Sequence, residues 1–136
     1  MQERTLMIIK PDAVSRNAIG AILKRVEDRG FKVRQMRMTR FTREEAIRFY
    51  AVHRGQPFFD GLIDFMSSGP VVPLALEREN AVSNLREIVG ATDAAKAAEV
   101  TIRKHFGTNI PRNAVHASDS PETATGEIAF FFGEQV

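Results

Sequence analysis

The sequence predicts an α+β domain in which one antiparallel sheet is backed by helices. Three observations carry this prediction. Apolar runs of strand length stand at residues 5–9, 71–76 and 114–117, apolar stripes at helical spacing lie between and after them, and cap residues or glycine stops punctuate those stripes. No period of 20–50 residues repeats and no Pro/Gly/Ser-rich linker divides the chain, so residues 1–136 read as one domain. A chain of this length can remove roughly two-thirds of its unfolded surface from water, so it needs neither disulfides nor a metal to fold.

Thr5 to Ile9 reads as the first strand, ended by Lys10-Pro11-Asp12 because proline offers no N–H to a ladder. Lys10 therefore sits at a strand's carboxyl end. Ile19, Ile22, Leu23 and Val26 follow helical spacing, with Gly30 as the left-handed stop. Phe31 and Val33 alternate in one phase and Met36 and Met38 in the other, which predicts a strand with a bulge near Arg34-Gln35. Thr42 and Glu45 form a capping box for a helix whose Ala46, Phe49 and Tyr50 share a face. Phe58, Leu62, Phe65 and Met66 mark another short helix. Val71 to Leu76 is a buried strand, and Pro73 within it predicts an edge position or a bulge.

Asn80 is placed to cap a helix containing Val82, Leu85, Arg86, Ile88 and Val89, closed by Gly90. A polar loop with short helical pieces runs to about Arg112. Ala114 to Ala117 is the last strand, and Ser120-Pro121-Glu122 starts a helix with serine as cap and proline in its first position. Ala124, Ile128, Phe131 and Phe132 form that helix's buried stripe. With the insertions set aside the order is βαββαβ with a trailing helix, the ferredoxin-like pattern with a long loop before the last strand.

Composition narrows the function. The chain has no cysteine, which excludes thiol nucleophiles, thiolate metal sites and disulfide scaffolds. The start lacks a basic leader, and Leu6-Met7-Ile8-Ile9 is too short for a signal core or a membrane span, so a cytoplasmic protein is expected. Net charge is only +2, yet the first 60 residues carry thirteen basic and seven acidic side chains and arginine outnumbers lysine. That asymmetry permits an anion site without requiring one.

Neither G-x-x-x-x-G-K-[ST] nor G-x-G-x-x-G occurs, so a bound nucleotide would have to be held by side chains. Lys10, Arg86, Thr92, Arg103 and Asn113 stand at element ends or in the loop, although each taken singly is an ordinary surface residue. His116 is more telling, because it interrupts an apolar strand where an unpaired polar group is costly. Glu127 is spaced with Ala124, Ile128 and Phe131 and so faces the same core. A carboxylate bonded to one ring nitrogen fixes the tautomer and leaves the other nitrogen as a nucleophile. A satisfied structural histidine remains the alternative on these residues alone.

His116 lies within Asn113-Ala-Val-His-Ala-Ser-Asp119, and further runs are Thr5-Leu-Met-Ile-Ile-Lys-Pro-Asp12, Tyr50-Ala-Val-His53, Pro57-Phe-Phe59, Ser68-Gly-Pro-Val-Val72, Val89-Gly-Ala-Thr-Asp93 and Thr101-Ile-Arg103. Through these runs the whole chain resembles nucleoside diphosphate kinases, whose N-x-x-H-[G/A]-S-D pattern the first of them has. The resemblance implies a ping-pong transfer in which a nucleoside triphosphate, typically ATP, phosphorylates His116 and a nucleoside diphosphate takes the group away. It implies magnesium on the phosphates, with no protein metal site. Lys10 and Asn113 would hold the ribose hydroxyls, and Phe58 would stack on the base beside Leu62 and Ile110. His53, Arg86, Thr92 and Arg103 would meet the phosphates, with Tyr50 near the histidine and Ser118 and Glu127 steadying it. Family members are homo-oligomers, so a tetramer or hexamer is expected.

Several positions depart from the family pattern. Lys104-His105 replaces a usual Gly-Asp, Val100 replaces a glycine, Pro73 interrupts a strand, and Ala117 replaces the more frequent glycine, which matters if that residue needs positive φ. None of these removes a group named above. Two other readings compete: a single-stranded RNA module on the same fold, and a family member that binds nucleotides without turnover. The first lacks paired aromatics on the central strands, so no dedicated nucleic-acid site is expected. The second would be marked by loss of His116, Lys10 or Arg103, and all are present.

Overall fold

The computed structural model describes residues 2–90, 101–106 and 113–133. Four strands, β1 (Gln2–Ile9), β2 (Lys32–Met36), β3 (Val72–Glu79) and β4 (Val115–Ala117), form one sheet in the order β2-β3-β1-β4 with every neighbouring pair antiparallel. The described helices are α1 (Pro11–Ser15), α2 (Ile19–Asp28), α3 (Arg43–Phe49), α4 (Phe59–Met66), α5 (Ala81–Val89), α6 (Ile102–Phe106) and α7 (Pro121–Phe132), with a single 3-10 turn at Ala51–His53. None is long and apolar enough to cross a membrane. The predicted βαββαβ order and ferredoxin-like topology are therefore present, with α3 and α4 between β2 and β3.

Helices cover both faces of the sheet, and strand alternation decides which side chain meets which layer. Met7 and Ile9 of β1 pack with Ile22 and Val26 of α2 and Leu85 of α5, whereas Leu6 and Ile8 pack with Tyr50, Ile63 and Ile128 beside α3, α4 and α7. All four β1 residues are fully buried, which explains a continuous apolar run where a one-sided sheet would alternate. Each such side chain contributes about 1.5–3 kcal/mol of transfer free energy. β4 pairs with β1 so that His116 lies opposite Ile8. Val115 and Ala117 join the α2/α5 layer, so His116 projects into the other, toward α3 and α7.

The expected β2 bulge is present: the register against β3 shifts between Val33 and Gln35. The capping box at Thr42 and Glu45 forms in both directions, and Ser120 Oγ accepts from the Thr123 N–H. Three expectations need correction. β3 is a central strand, not an edge, and Pro73 is accommodated because the β2 ladder lapses beside it: Arg37 N–H donates to the Pro73 carbonyl but nothing can be donated in return. Asn80 stands at the start of α5 in a left-handed conformation, and its side chain caps nothing; the carboxylate of Glu3 accepts from the Val82 N–H in its place. Lys10-Pro11-Asp12 does not simply end β1 but opens the short helix α1. Ala117 lies in β4 without positive φ, so the feared strain at that alanine does not arise.

Candidate active site

His116 Nε2 lies 2.9 Å from Glu127 Oε1, and Ser118 Oγ donates to the same oxygen at 2.6 Å. A carboxylate only accepts, so the proton of a neutral ring sits on Nε2 and the lone pair is left on Nδ1. Both side chains are mostly buried, 18% exposed for His116 and 15% for Glu127, which keeps water from competing freely for the bond. Phe49 and Tyr50 meet the imidazole edge to face, with ring centroids 5.4 and 5.9 Å away. The ring is thus held by a hydrogen bond at one nitrogen and by two aromatic walls. The Tyr50 hydroxyl is buried with no hydrogen-bond partner among the described residues. Burial, then the Glu127 charge, pushes its phenol well above the ordinary range, so the O–H stays a donor.

The cations gather around this histidine from separate elements. Lys10, at the end of β1, donates from Nζ to Asn113 Oδ1 at 2.8 Å, and both residues are buried. Burial and the nearby Arg103 charge lower the Lys10 ammonium to about 8. Arg103 on α6 donates to the carbonyls of Gly90 and Val115, each at 3.1 Å, while its Nε–H stays buried without a partner among the described residues. Burial and the charge of Arg86 bring Arg103 down to about 10. Arg86 on α5 donates to the Ala117 carbonyl at 3.2 Å. Cations crowded together and partly stripped of water favour an anionic ligand, which restores what burial and mutual repulsion cost them.

These residues line a cleft of about 1030 Å³. His53, Phe58 and Leu62 belong to the same wall; Phe58 is half exposed and meets His53 edge to face at 5.4 Å. Lys10, Tyr50, His53, Phe58, Leu62, Arg86, Arg103, Asn113, His116 and Glu127 therefore come together as the sequence predicts, and Ser118 stands directly behind Glu127. Thr92, Ile110 and Val100 lie outside the described residues, as do the side chains of Lys104 and His105. The wall also contains Arg48, Phe49, Asp119 and Phe130, which were not singled out. Asp119 ends the histidine motif and was within reach of sequence reasoning. Phe49 reads only as a helix-face hydrophobe beside Ala46 and Tyr50, since nothing in a 3.6 period separates a core residue from one lining a cleft, and Phe130 lies outside the buried stripe of its helix.

The family model described as nucleoside diphosphate kinase matches residues 3–136. A nucleoside diphosphate kinase of Sorangium cellulosum is 58% identical over 130 residues, covering 96% of this chain and 90% of the relative, and one of Persephonella marina is 54% identical with 96% and 93% covered. Among solved structures, the Aquifex aeolicus nucleoside diphosphate kinase superposes with a TM-score of 0.95 at 52% identity, covering 97% of this chain and 96% of that one. A halophilic nucleoside diphosphate kinase from Halobacterium salinarum, solved with CDP, gives 0.95 at 40% identity, with 98% and 90% covered. With a match over nearly its full length the chain belongs to the nucleoside diphosphate kinase family, enzymes that transfer phosphoryl groups between nucleotides.

Proposed function

We propose that this chain carries a phosphoryl group from a nucleoside triphosphate, typically ATP, to a nucleoside diphosphate in two half-reactions through His116. In the first, the Nδ1 lone pair attacks the γ-phosphorus, an N–P bond forms, and the bond to the β-phosphate oxygen breaks so that a nucleoside diphosphate leaves. In the second, the terminal phosphate oxygen of another nucleoside diphosphate attacks the phosphohistidine and restores the free ring. The observation that carries this reading is the Nε2 to Glu127 bond, which leaves Nδ1 unprotonated on a ring that lines the cationic cleft. Transfer between similar phosphates is close to thermoneutral, so positioning and charge dispersal are the main tasks.

Arg86, Arg103, His53 and Thr92 are assigned to the phosphates, Lys10 and Asn113 to the ribose hydroxyls, and Phe58 with Leu62 and Ile110 to the base. Ser118 and Glu127 orient the histidine, and the Tyr50 hydroxyl stands beside it. A π-face has no hydrogen-bond code, so stacking on Phe58 supports broad base acceptance. The CDP complex of the Halobacterium salinarum relative supports a nucleotide ligand here.

The family uses a divalent cation, and magnesium is proposed. Among the described residues no group of three His, Asp or Glu side chains could cage a metal, and the site's chain-borne charge is chiefly positive. That donor set fits an ion held mainly by the nucleotide's own phosphates and water, and such an ion would supply neutralisation of phosphate charge. Residues 1–136 are proposed to act as one domain, in the cytoplasm, as a homo-oligomeric tetramer or hexamer. Edge strand β2 and the segment after it leave Met36 and Met38 half exposed or more, which supports association. Light scattering would count the subunits.

The test is to mix the protein with γ-labelled ATP and magnesium without an acceptor. An acid-labile, base-stable label that GDP or CDP discharges is expected. His116→Ala should take no label while still folding and binding nucleotide. A folded parent chain that takes no label, or a His116→Ala variant that still transfers, refutes the proposal.

A further inference from the structure

The backbone two residues before His116 is held in a conformation that its sequence does not favour. Ala114 has φ +75°, and the other non-glycine residues with positive φ among those described, Asn17 and Asn80, are of the type that tolerates it. The Val115 N–H donates to the Asn113 carbonyl at 2.9 Å, so Ala114 is the centre of a three-residue γ-turn with positive φ, a rare and strained turn. An alanine persists there only if its surroundings hold it.

Both of its backbone polar groups are held by one segment. Lys10 N–H donates to the Ala114 carbonyl at 2.8 Å, and the Ala114 N–H donates to Asp12 Oδ2 at 3.1 Å, a buried bond that spans 102 positions of sequence. Asp12 is 8% exposed, and its Oδ1 is buried with no hydrogen-bond partner among the described residues. Burying a carboxylate so incompletely paired is costly. The turn it holds presents Asn113 Oδ1 to Lys10 Nζ at 2.8 Å and starts β4, where His116 is set opposite Ile8.

We propose that Asp12 is a positioning residue for phosphoryl transfer: its carboxylate locks the strained turn at Ala114 and thereby places Asn113 and His116 together. This rests on the His116 reading above. A carboxylate on this segment also lends Lys10 some of the charge stabilisation that burial and Arg103 remove, but the hydrogen bond to Ala114 sets the geometry.

The test is a rescue. Asp12→Ala is expected to slow phosphohistidine formation and kcat about tenfold. Asp12→Ala combined with Ala114→Gly is expected to return to within about threefold of the parent, because glycine adopts positive φ without a Cβ penalty. Asp12→Asn keeps an acceptor oxygen and is likewise expected to stay within about threefold. An Asp12→Ala variant as fast as the parent overturns the inference, as does a loss that Ala114→Gly does not restore or an Asp12→Asn loss as deep as that of alanine. Should Asp12→Ala not fold, the double variant is expected to fold and turn over, and its failure is equally decisive. A parent chain that takes no label overturns the His116 reading and this inference with it; a labelled parent beside an unaffected Asp12→Ala overturns this inference alone.

Discussion

Replacing Glu127 by alanine isolates the contribution of ring orientation to the reaction. In the folded chain Glu127 Oε1 receives two donors, His116 Nε2 at 2.9 Å and Ser118 Oγ at 2.6 Å. Truncation removes the only acceptor seen for Nε2 among the described residues, so the imidazole can rotate and can exchange its proton between nitrogens, and part of the population then presents a protonated Nδ1 to the phosphate. A hydrogen bond to a charged acceptor contributes about 1.5–3 kcal/mol, which at about 1.4 kcal/mol per tenfold corresponds to roughly 10- to 150-fold in rate. The side chains are 15–18% exposed, so water can enter and replace part of the bond. Phe49 and Tyr50 also continue to confine the ring. Both effects favour the lower half of that range, about 10- to 50-fold. Rapid-quench measurement of phosphohistidine formation under single turnover reads the first half-reaction directly, and nucleotide affinity should change little. A first half-reaction as fast as the parent's would mean that the Glu127 bond does not orient the nucleophile, and the assignment of Nδ1 as the attacking atom would lose its basis.

Phe58→Ala should weaken all nucleoside diphosphates alike; because the ring is half exposed, the loss is expected near the low end of about 1–3 kcal/mol, and a loss confined to one base in calorimetric titration would argue against stacking. Lys10 is lowered from an ordinary 10.5 to about 8, so its buried ammonium costs stability below pH 8 and that cost lifts as pH rises from about 8 to 10.5. Denaturant titrations over that range should show parent stability rising relative to Lys10→Met, with no relative rise if the lysine titrates normally. Gly90→Ala should destabilise by about 1–3 kcal/mol and slow transfer together: φ is +92°, an added Cβ would sit 2.6 Å from Thr101 Oγ1, and Arg103 donates to the Gly90 carbonyl. Thermal melts and kcat measured on one preparation check it, and a variant with parent values would show that this backbone can shift freely.

How much of this was legible in the sequence depends on whether a feature belongs to one element or to several. The β2 bulge follows from a change of apolar phase within one strand, and the direction of Glu127 follows from the period of one helix; both are local, and both are present. Pro73 misled because the inference from a missing N–H to an edge strand assumes that every ladder position must be filled, whereas β2 lapses beside it while β1 pairs through. Asn80 misled for a related reason: its cap role is taken by Glu3, 79 residues away from the Val82 N–H that it satisfies. The pairing of Lys10 with Asn113 and of Arg103 with the Val115 carbonyl depends on the register of β4 against β1, and no local pattern encodes that register.

The strained turn was the least legible, since alanine carries no turn signal and the sequence offers Asp12 as part of a strand stop and of the family-matching run from Thr5, with no role of its own. Local rules fail together around His116. Ala114 has a φ that alanine avoids, Lys10 and Arg103 are lowered by burial and mutual repulsion, and the Tyr50 hydroxyl and Arg103 Nε–H are buried without partners among the described residues. Sequences that fold well satisfy local preferences almost everywhere, so a cluster of violations in one cleft must be compensated by the two apolar layers on either side of the sheet. Most of these costs have one sign. Unpaired donors and crowded cations are relieved by an anion with several acceptor oxygens, and a phosphoryl group is such an anion. The strain at Ala114 differs, because no ligand relieves a backbone angle. It has to be held by the chain itself, and the bonds that hold it come from Lys10 and Asp12, on the segment that also brings an ammonium to Asn113.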